Sequence, residues 1–229
     1  MKIICNKNIP KEAQKRLERF GNVLYFETKG ITYPAISNHP DVFMCLIVNE
    51  LVIAPNTPNE FKNLFTNNNI KFTEGGKIIG NNYPKTAGYN AVVTDNYLIH
   101  NLKITDPKIL ELCADKQAVH VNQAYARCNL LPLKDDSFIT SDKGIYNTLI
   151  SKKINVLLVK PQDIILTGFD YGFFGGACGV YKNTVFIVGS LNKYNDGEKV
   201  RAFLINMGYE IIELYDGPLF DCGSLVIVD

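Results

Sequence analysis

Apolar positions along this chain fall in short paired runs separated by polar dipeptides, the pattern of hairpins rather than of long helices. Four segments repeat it: residues 43–48, the turn Asn49-Glu50 and residues 51–54; residues 91–94, Asp95-Asn96 and residues 97–99; residues 130–133, Asp135-Asp136 and residues 137–140; and residues 180–181, Lys182-Asn183 and residues 184–188. Each is followed by a stretch with helical spacing and then by one more apolar run. These are 58–65 with 70–72, 106–113 with 118–121, 142–150 with 154–159, and 197–206 with 209–214. Thr105-Asp106-Pro107 and Ser141-Asp142 put side-chain acceptors ahead of two of the helices, and Pro107 suits a first turn.

The chain therefore reads as four ββαβ units of roughly 40 to 47 residues, a period typical of repeat architectures. The two ends supply a fifth. Residues 2–5, 10–20 and 23–26 give strand, helix and strand, and residues 223–228 give one last strand with no partner nearby in sequence. Pairing the last strand with the first completes the fifth hairpin and removes exposed sheet edges. The expected fold is α/β, a five-bladed propeller forming a single domain over residues 1–229. The rival arrangement is two α/β sandwiches with a boundary in the loop-rich residues 75–87. Continuation of the repeat on both sides favours a long loop there.

Composition narrows the function classes. The 229 residues are 46% hydrophobic and 21% charged, with 24 basic and 23 acidic side chains, so the net charge is +1. Affinity for a phosphate backbone comes from clustered Lys and Arg, so neither a nucleic-acid partner nor an anionic membrane surface is expected. No apolar run approaches the roughly 20 residues of a membrane helix, and the first residues lack a signal-peptide core; a cytoplasmic location is expected. Cys5, Cys45, Cys113, Cys128, Cys178 and Cys222 stand singly. No tight Cys or His pairs give a zinc spacing, so neither a metal nor a cofactor is expected. Arg127, Cys128, Cys178 and Cys222 all fall at or beside hairpin starts, so a ring would bring them near one another.

Two local stretches carry a family resemblance. His39-Pro40-Asp41-Val42-Phe43 resembles a Pro-Asp-x-x-Phe segment at the start of an early hairpin. Asp216-Gly217-Pro218-Leu219-Phe220-Asp221-Cys222-Gly223-Ser224-Leu225 resembles a final strand start that carries a nucleophilic cysteine. With the five ββαβ units, these resemble the pentein, or guanidino-group-modifying enzyme, fold of arginine deiminases, dimethylarginine dimethylaminohydrolases and amidinotransferases. The whole chain also resembles an uncharacterised bacterial family of that fold. The resemblance implies a guanidino or amidine compound as substrate, Cys222 as nucleophile and Asp41 as guanidinium ligand. The chemistry needs a thiolate to attack the amidine carbon, a carboxylate to grip the planar cation and a His to move the proton.

The chain also departs from that pattern. Where the enzymes continue into a Glu-Asp pair it has Cys45-Leu46-Ile47, and the unit before Cys222 opens on Tyr171-Gly172-Phe173-Phe174-Gly175-Gly176 without a His. Either His39 or His100 supplies the base, or the standard reaction is lost and the protein is a non-catalytic binder of a small metabolite or protein partner. His120 falls within a strand and reads as structural. Phe169 to Gly176 is rich in aromatics and glycine: its rings suit the wall of a pocket for a flat cation, and Gly175 and Gly176 permit close backbone approach. Asp170 and Arg127 complete the candidate ligand-binding set.

Overall fold

The computed structural model describes residues 1–229. The chain opens with β1 (Lys2–Asn6), α1 (Lys11–Leu17) and β2 (Asn22–Phe26). A one-turn helix α2 (Pro40–Phe43) leads into β3 (Met44–Ile47), β4 (Glu50–Ile53), α3 (Asn59–Asn67) and β5 (Phe72–Glu74). Next come β6 (Val92–Val93), β7 (Tyr97–His100), α4 (Pro107–Leu112) and β8 (Gln117–His120). A second one-turn helix, α5 (Ala126–Asn129), precedes β9 (Leu130–Pro132), β10 (Phe138–Thr140), α6 (Lys143–Ser151) and β11 (Val156–Leu158). After β12 (Ile164–Ile165) come β13 (Cys178–Tyr181), β14 (Thr184–Ile187), α7 (Gly197–Asn206), β15 (Glu210–Glu213), β16 (Leu219–Phe220) and β17 (Val226–Val228).

The strands form five three-stranded sheets of one design, in which the middle strand pairs antiparallel with one neighbour and parallel with the other. The parallel pair in each case is joined through a helix, as a crossover requires. The fifth sheet has the order β17-β1-β2: Ile3 faces Ile227 across the antiparallel pair, so the last strand does complete the first unit. Neighbouring sheets meet through their first strands, β3 against β6, β6 against β9, β9 against β13 and β13 against β17. Val226 and Val228 share one apolar cluster with Met44 and Cys45. A cavity of about 100 Å³ lies between these strands, lined from all five sheets by Met44, Val92, Pro132, Val180 and Val226 among others. No helix is long and apolar enough to cross a membrane.

Local chemistry accounts for most of these elements. Asp106 accepts a hydrogen bond from the Lys108 N–H, and Asp142 from the Ile145 N–H, capping α4 and α6 where the sequence places the caps. On α3, Phe61 and Phe65 stand four residues apart and bury the same face. Several expected boundaries move, the last strand beginning at Val226 rather than at residue 223. Val48 lies in the first hairpin turn at φ 56 while Glu50 begins β4 opposite Ile47, so the turn falls one residue earlier than its polarity suggests. The run at residues 70–72 is not the strand: the Ile70 N–H closes the end of α3 on the Phe65 carbonyl and β5 starts at Phe72. Residues 75–87 form a largely exposed loop anchored at points, with Ile79, Thr86 and Ala87 buried and the Gly76 and Lys77 N–H groups donating to Asp106.

A sixth, two-stranded sheet was not legible in the sequence. β12 pairs with β16 in parallel, and the Gly172 N–H returns to the Ile164 carbonyl at 2.7 Å. This ties the aromatic loop 166–173 beside Asp221 and places it over the site.

Candidate functional site

The site grows from the residues that precede each first strand. His39 caps α2 in an extended conformation, and Pro40 fixes the first helical residue, so His39 and Asp41 leave one turn at set angles. Gly223 lies so close to His39 that any side chain there would strike the imidazole stem. That contact brings Asp221–Ser224 against His39 and Asp41. Gly176 packs equally tightly on the Asp221 carboxylate. Ser224 itself is held at φ 67, a region that side chains other than glycine seldom adopt.

Hydrogen bonds link these segments in succession. The Ser224 hydroxyl donates to Asp41 Oδ2 at 2.5 Å, and the Asp41 N–H donates to the Gly223 carbonyl at 3.2 Å. Asn90 Nδ2 donates to the Asp41 carbonyl at 3.0 Å, while the Cys128 N–H donates to Asn90 Oδ1 at 3.1 Å. Arg127 Nη1 donates to the Gly175 carbonyl at 2.9 Å, and the Ser224 N–H returns to Gly176 at 2.8 Å. The Cys128 thiol donates to Asp41 Oδ2 at 3.1 Å and accepts from Asn90 Nδ2 at 3.3 Å.

Above this layer opens a cavity of about 460 Å³. His39, Cys128 and Asp221 form its floor, Tyr33, Tyr125, Phe169, Tyr171 and Phe173 line its walls, and Asp142, Lys143 and Asp170 are also exposed to it. Asp221 is 1% exposed and accepts from the Phe173 and Gly223 N–H groups, with His39 Nδ1 4.0 Å away. Burial pushes its carboxyl up to about 6; His39 opposes the shift and Asp41 adds to it. Burial also pushes the Cys128 thiol well up, with Asp41 and Asp221 adding to it.

The sequence-derived candidates divide three ways. His39 and Asp41 meet Cys128: one ligating atom of each lies within 4.8 Å of the others. Asp170 reaches the cavity as an exposed residue. The rest stand elsewhere. Cys222 is fully buried among Ile3, Leu225 and Ile227 and donates to the Gly176 carbonyl at 3.3 Å, and burial with the adjacent Asp221 carries its thiol well above the usual value. His100 is fully buried, its Nε2 donating to the Ala124 carbonyl at 2.8 Å and its Nδ1 2.8 Å from Thr105 Oγ1. Arg127 is spent on the Gly175 and Cys178 carbonyls, and Gly175 and Gly176 are backbone packing points rather than cavity wall.

Cys128, Asp221, Ser224 and Asn90 were missed as site residues. A signal existed: Asn90, Cys128, Gly176 and Ser224 each stand two residues ahead of a first strand, β6, β9, β13 and β17, and Asp41 stands three ahead of β3. Aligning the repeat by strand starts brings four of them to one position and Asp41 within one residue of it.

Solved structures similar to this chain include an agmatine deiminase, an amidinotransferase and an arginine dihydrolase, and the fold is the pentein fold. An agmatine deiminase from C. jejuni matches with TM-score 0.60 and 8% identity over 93% of this chain and 86% of its own. An amidinotransferase of the saxitoxin pathway from Microseira wollei matches with TM-score 0.57 and 13% identity, covering 93% and 87%. An arginine dihydrolase of the cyanobacterial ornithine-ammonia cycle matches with TM-score 0.54 and 12% identity over 93% of this chain, which spans only 36% of that enzyme. No curated protein matches the sequence. Residues 4–226 match the model of a family of unknown function, DUF6873, and the chain belongs to that family.

Proposed function

We propose that the protein binds a small guanidino or amidine compound in the 460 Å³ cavity and acts on it as a hydrolase-like enzyme, with Cys128 rather than Cys222 as the nucleophile. Cys128 and His39 carry this reading: thiol and imidazole lie within 4.8 Å on a floor shared with Asp221. The scaffold is a closed five-bladed α/β propeller, supported by the β1–β17 pairing and by the hydrogen bonds that link successive strand starts.

Burial, reinforced by two buried carboxylates, keeps the thiol protonated while no ligand is bound. A bound cation offsets them, so the nucleophile is activated only with its substrate in place. Asp221 and, at the rim, Asp170 hold the cation, the aromatic walls face its flat surface, and Asp41 holds the thiol from beneath. Sγ then bonds to the amidine carbon, the bond from that carbon to the leaving amine breaks, and the thiol proton reaches the amine through His39. Water deprotonated by the same imidazole displaces the sulfur and restores the thiol. The burial of Cys128, 3% exposed, favours a second reading in which the same cation is bound without turnover.

Alkylation by 2-chloroacetamidine, with adducts mapped by mass spectrometry and iodoacetamide as the neutral control, tests the reading. Selective modification of Cys128, slowed by arginine, agmatine or methylarginines, is expected, with citrulline or urea release as the turnover assay. Slow, equal labelling of the thiols would overturn the nucleophile, and selective labelling without turnover of any guanidino compound would leave the binder.

A further inference from the structure

Three buried side-chain polar atoms in the molecule lack a hydrogen bond: His39 Nδ1, Asp41 Oδ1 and Thr57 Oγ1. Two of them belong to one cluster. His39 is 2% exposed, Asp41 1% and Cys128 3%, and one ligating atom from each lies within 4.8 Å of the other two. No Lys or Arg forms an ion pair with Asp41, and Arg127 directs its guanidinium at backbone carbonyls instead. Asp41 Oδ1 has no hydrogen-bond partner, and the unbonded His39 Nδ1 lies 4.0 Å from Asp221 Oδ1, so the cluster holds buried electron pairs with no Lys or Arg to receive them.

We propose that His39, Asp41 and Cys128 form a transition-metal site suited to Zn²⁺. One imidazole nitrogen, one carboxylate oxygen and one thiolate match the borderline softness of that ion. A tetrahedral site sets such donors about 3.5 Å apart. Cys128 Sγ and Asp41 Oδ2 stand at 3.1 Å and need open only slightly, while no other separation among the three donors exceeds 4.8 Å. The outer contacts are in place: Ser224 donates to Asp41 Oδ2 and Asn90 to Cys128 Sγ, orienting both ligands. His39 and Cys128 also face the large cavity, which leaves a fourth position for water or a small ligand. Binding exchanges the thiol proton for the metal: the S–H bond breaks, the metal–sulfur bond forms, the proton leaves to solvent, and nothing is oxidised or reduced.

This site does not rest on the hydrolase reading but competes with it for Cys128, because a thiolate held by a metal is not free to attack an amidine. Chelator-treated protein titrated with Co²⁺ is expected to take up one ion and to develop thiolate-to-cobalt charge-transfer absorption, which Zn²⁺ abolishes by displacement. Cys128→Ser should lose that absorption, and His39→Asn should weaken uptake at least about tenfold. Zn²⁺ should also protect Cys128 of the wild-type chain from alkylation, a measurement that holds if a variant fails to fold. Absence of stoichiometric uptake, or equal charge-transfer absorption in Cys128→Ser, overturns the proposal. Selective amidine labelling of Cys128 without metal uptake leaves the hydrolase reading alone standing. Uptake with no amidine selectivity does the reverse.

Discussion

A polar side chain can be absorbed into a core, and His100 is the case here. With both ring nitrogens engaged and the residue fully buried, it stays neutral, burial lowering it from 6.5 to about 4. The unfolded chain protonates this imidazole below pH about 6.5, whereas the folded chain does so only near 4. Between those values the unfolded state binds more protons, so acidification removes stability. Asp221 works in the opposite direction: with its carboxyl pushed up to about 6, the folded state takes up a proton there before the unfolded chain does. The two effects partly cancel in the wild type, and a variant separates them. His100→Gln should lose less stability than wild type between pH about 7 and about 4.5, by roughly 2 to 3 kcal/mol, as read by urea unfolding at each pH. Identical pH profiles would exclude His100 as a buried neutral base. Nothing in its surroundings in sequence marks it as structural, because Ala124, whose carbonyl engages Nε2, lies 24 residues further on.

At the scale of elements the repeat extends to the way helices stop. The Ile70 N–H bonds back to Phe65, Ile154 to Leu149 and Tyr209 to Leu204, each just after a residue at positive φ: Asn69 at 53, Lys153 at 61 and Gly208 at 72. One closing motif therefore serves α3, α6 and α7 with three different residues. Glycine accepts this backbone freely, asparagine tolerates it and lysine is strained by it. Lys153 is exposed, so Lys153→Gly should raise stability by about 0.5–1 kcal/mol, while Asn69→Gly should change it by a few tenths at most, both read from urea midpoints. A loss in Lys153→Gly would mean that the lysine has a role the backbone does not explain. The hairpins were legible because their turns and apolar runs are local, as with Asp135 and Asp136, both at positive φ between β9 and β10. The one-turn helices α2 and α5 and the β12–β16 pair were not, since four residues carry no helical period and β12 and β16 stand more than fifty residues apart. The site was half legible for the same reason. His39 and Asp41 come from one local motif, whereas Cys128 reaches Asp41 from 87 residues away, brought there by Asn90 and the packing of neighbouring sheets.

For the whole molecule, the fifth sheet joins strands from opposite ends of the chain, so its stability depends on the longest-range contact in the fold. In β17, Val226, Ile227 and Val228 are all buried, and Ile3 and Ile4 of β1 pair opposite Ile227 and Val226 without exposure. Removing residues 226–229 strips three buried apolar side chains, each worth about 1.5–3 kcal/mol, and opens a sheet edge. That loss, roughly 5 to 9 kcal/mol, rivals the total stability of an ordinary domain. The truncated chain should therefore lose its cooperative urea transition. A circular permutant that links Asp229 to Met1 through a short flexible segment, and opens instead at the exposed Asn81-Asn82, keeps every strand pair and should unfold close to wild type. Persistence of the wild-type transition in the truncated chain would mean that the five sheets hold together without the pair that joins the two ends. An unfolded permutant beside an unfolded truncation would trace the loss to the loop at residues 81–82 or to the linker, and a permutant opened in a different exposed loop would then decide whether the pairing of β1 with β17 suffices.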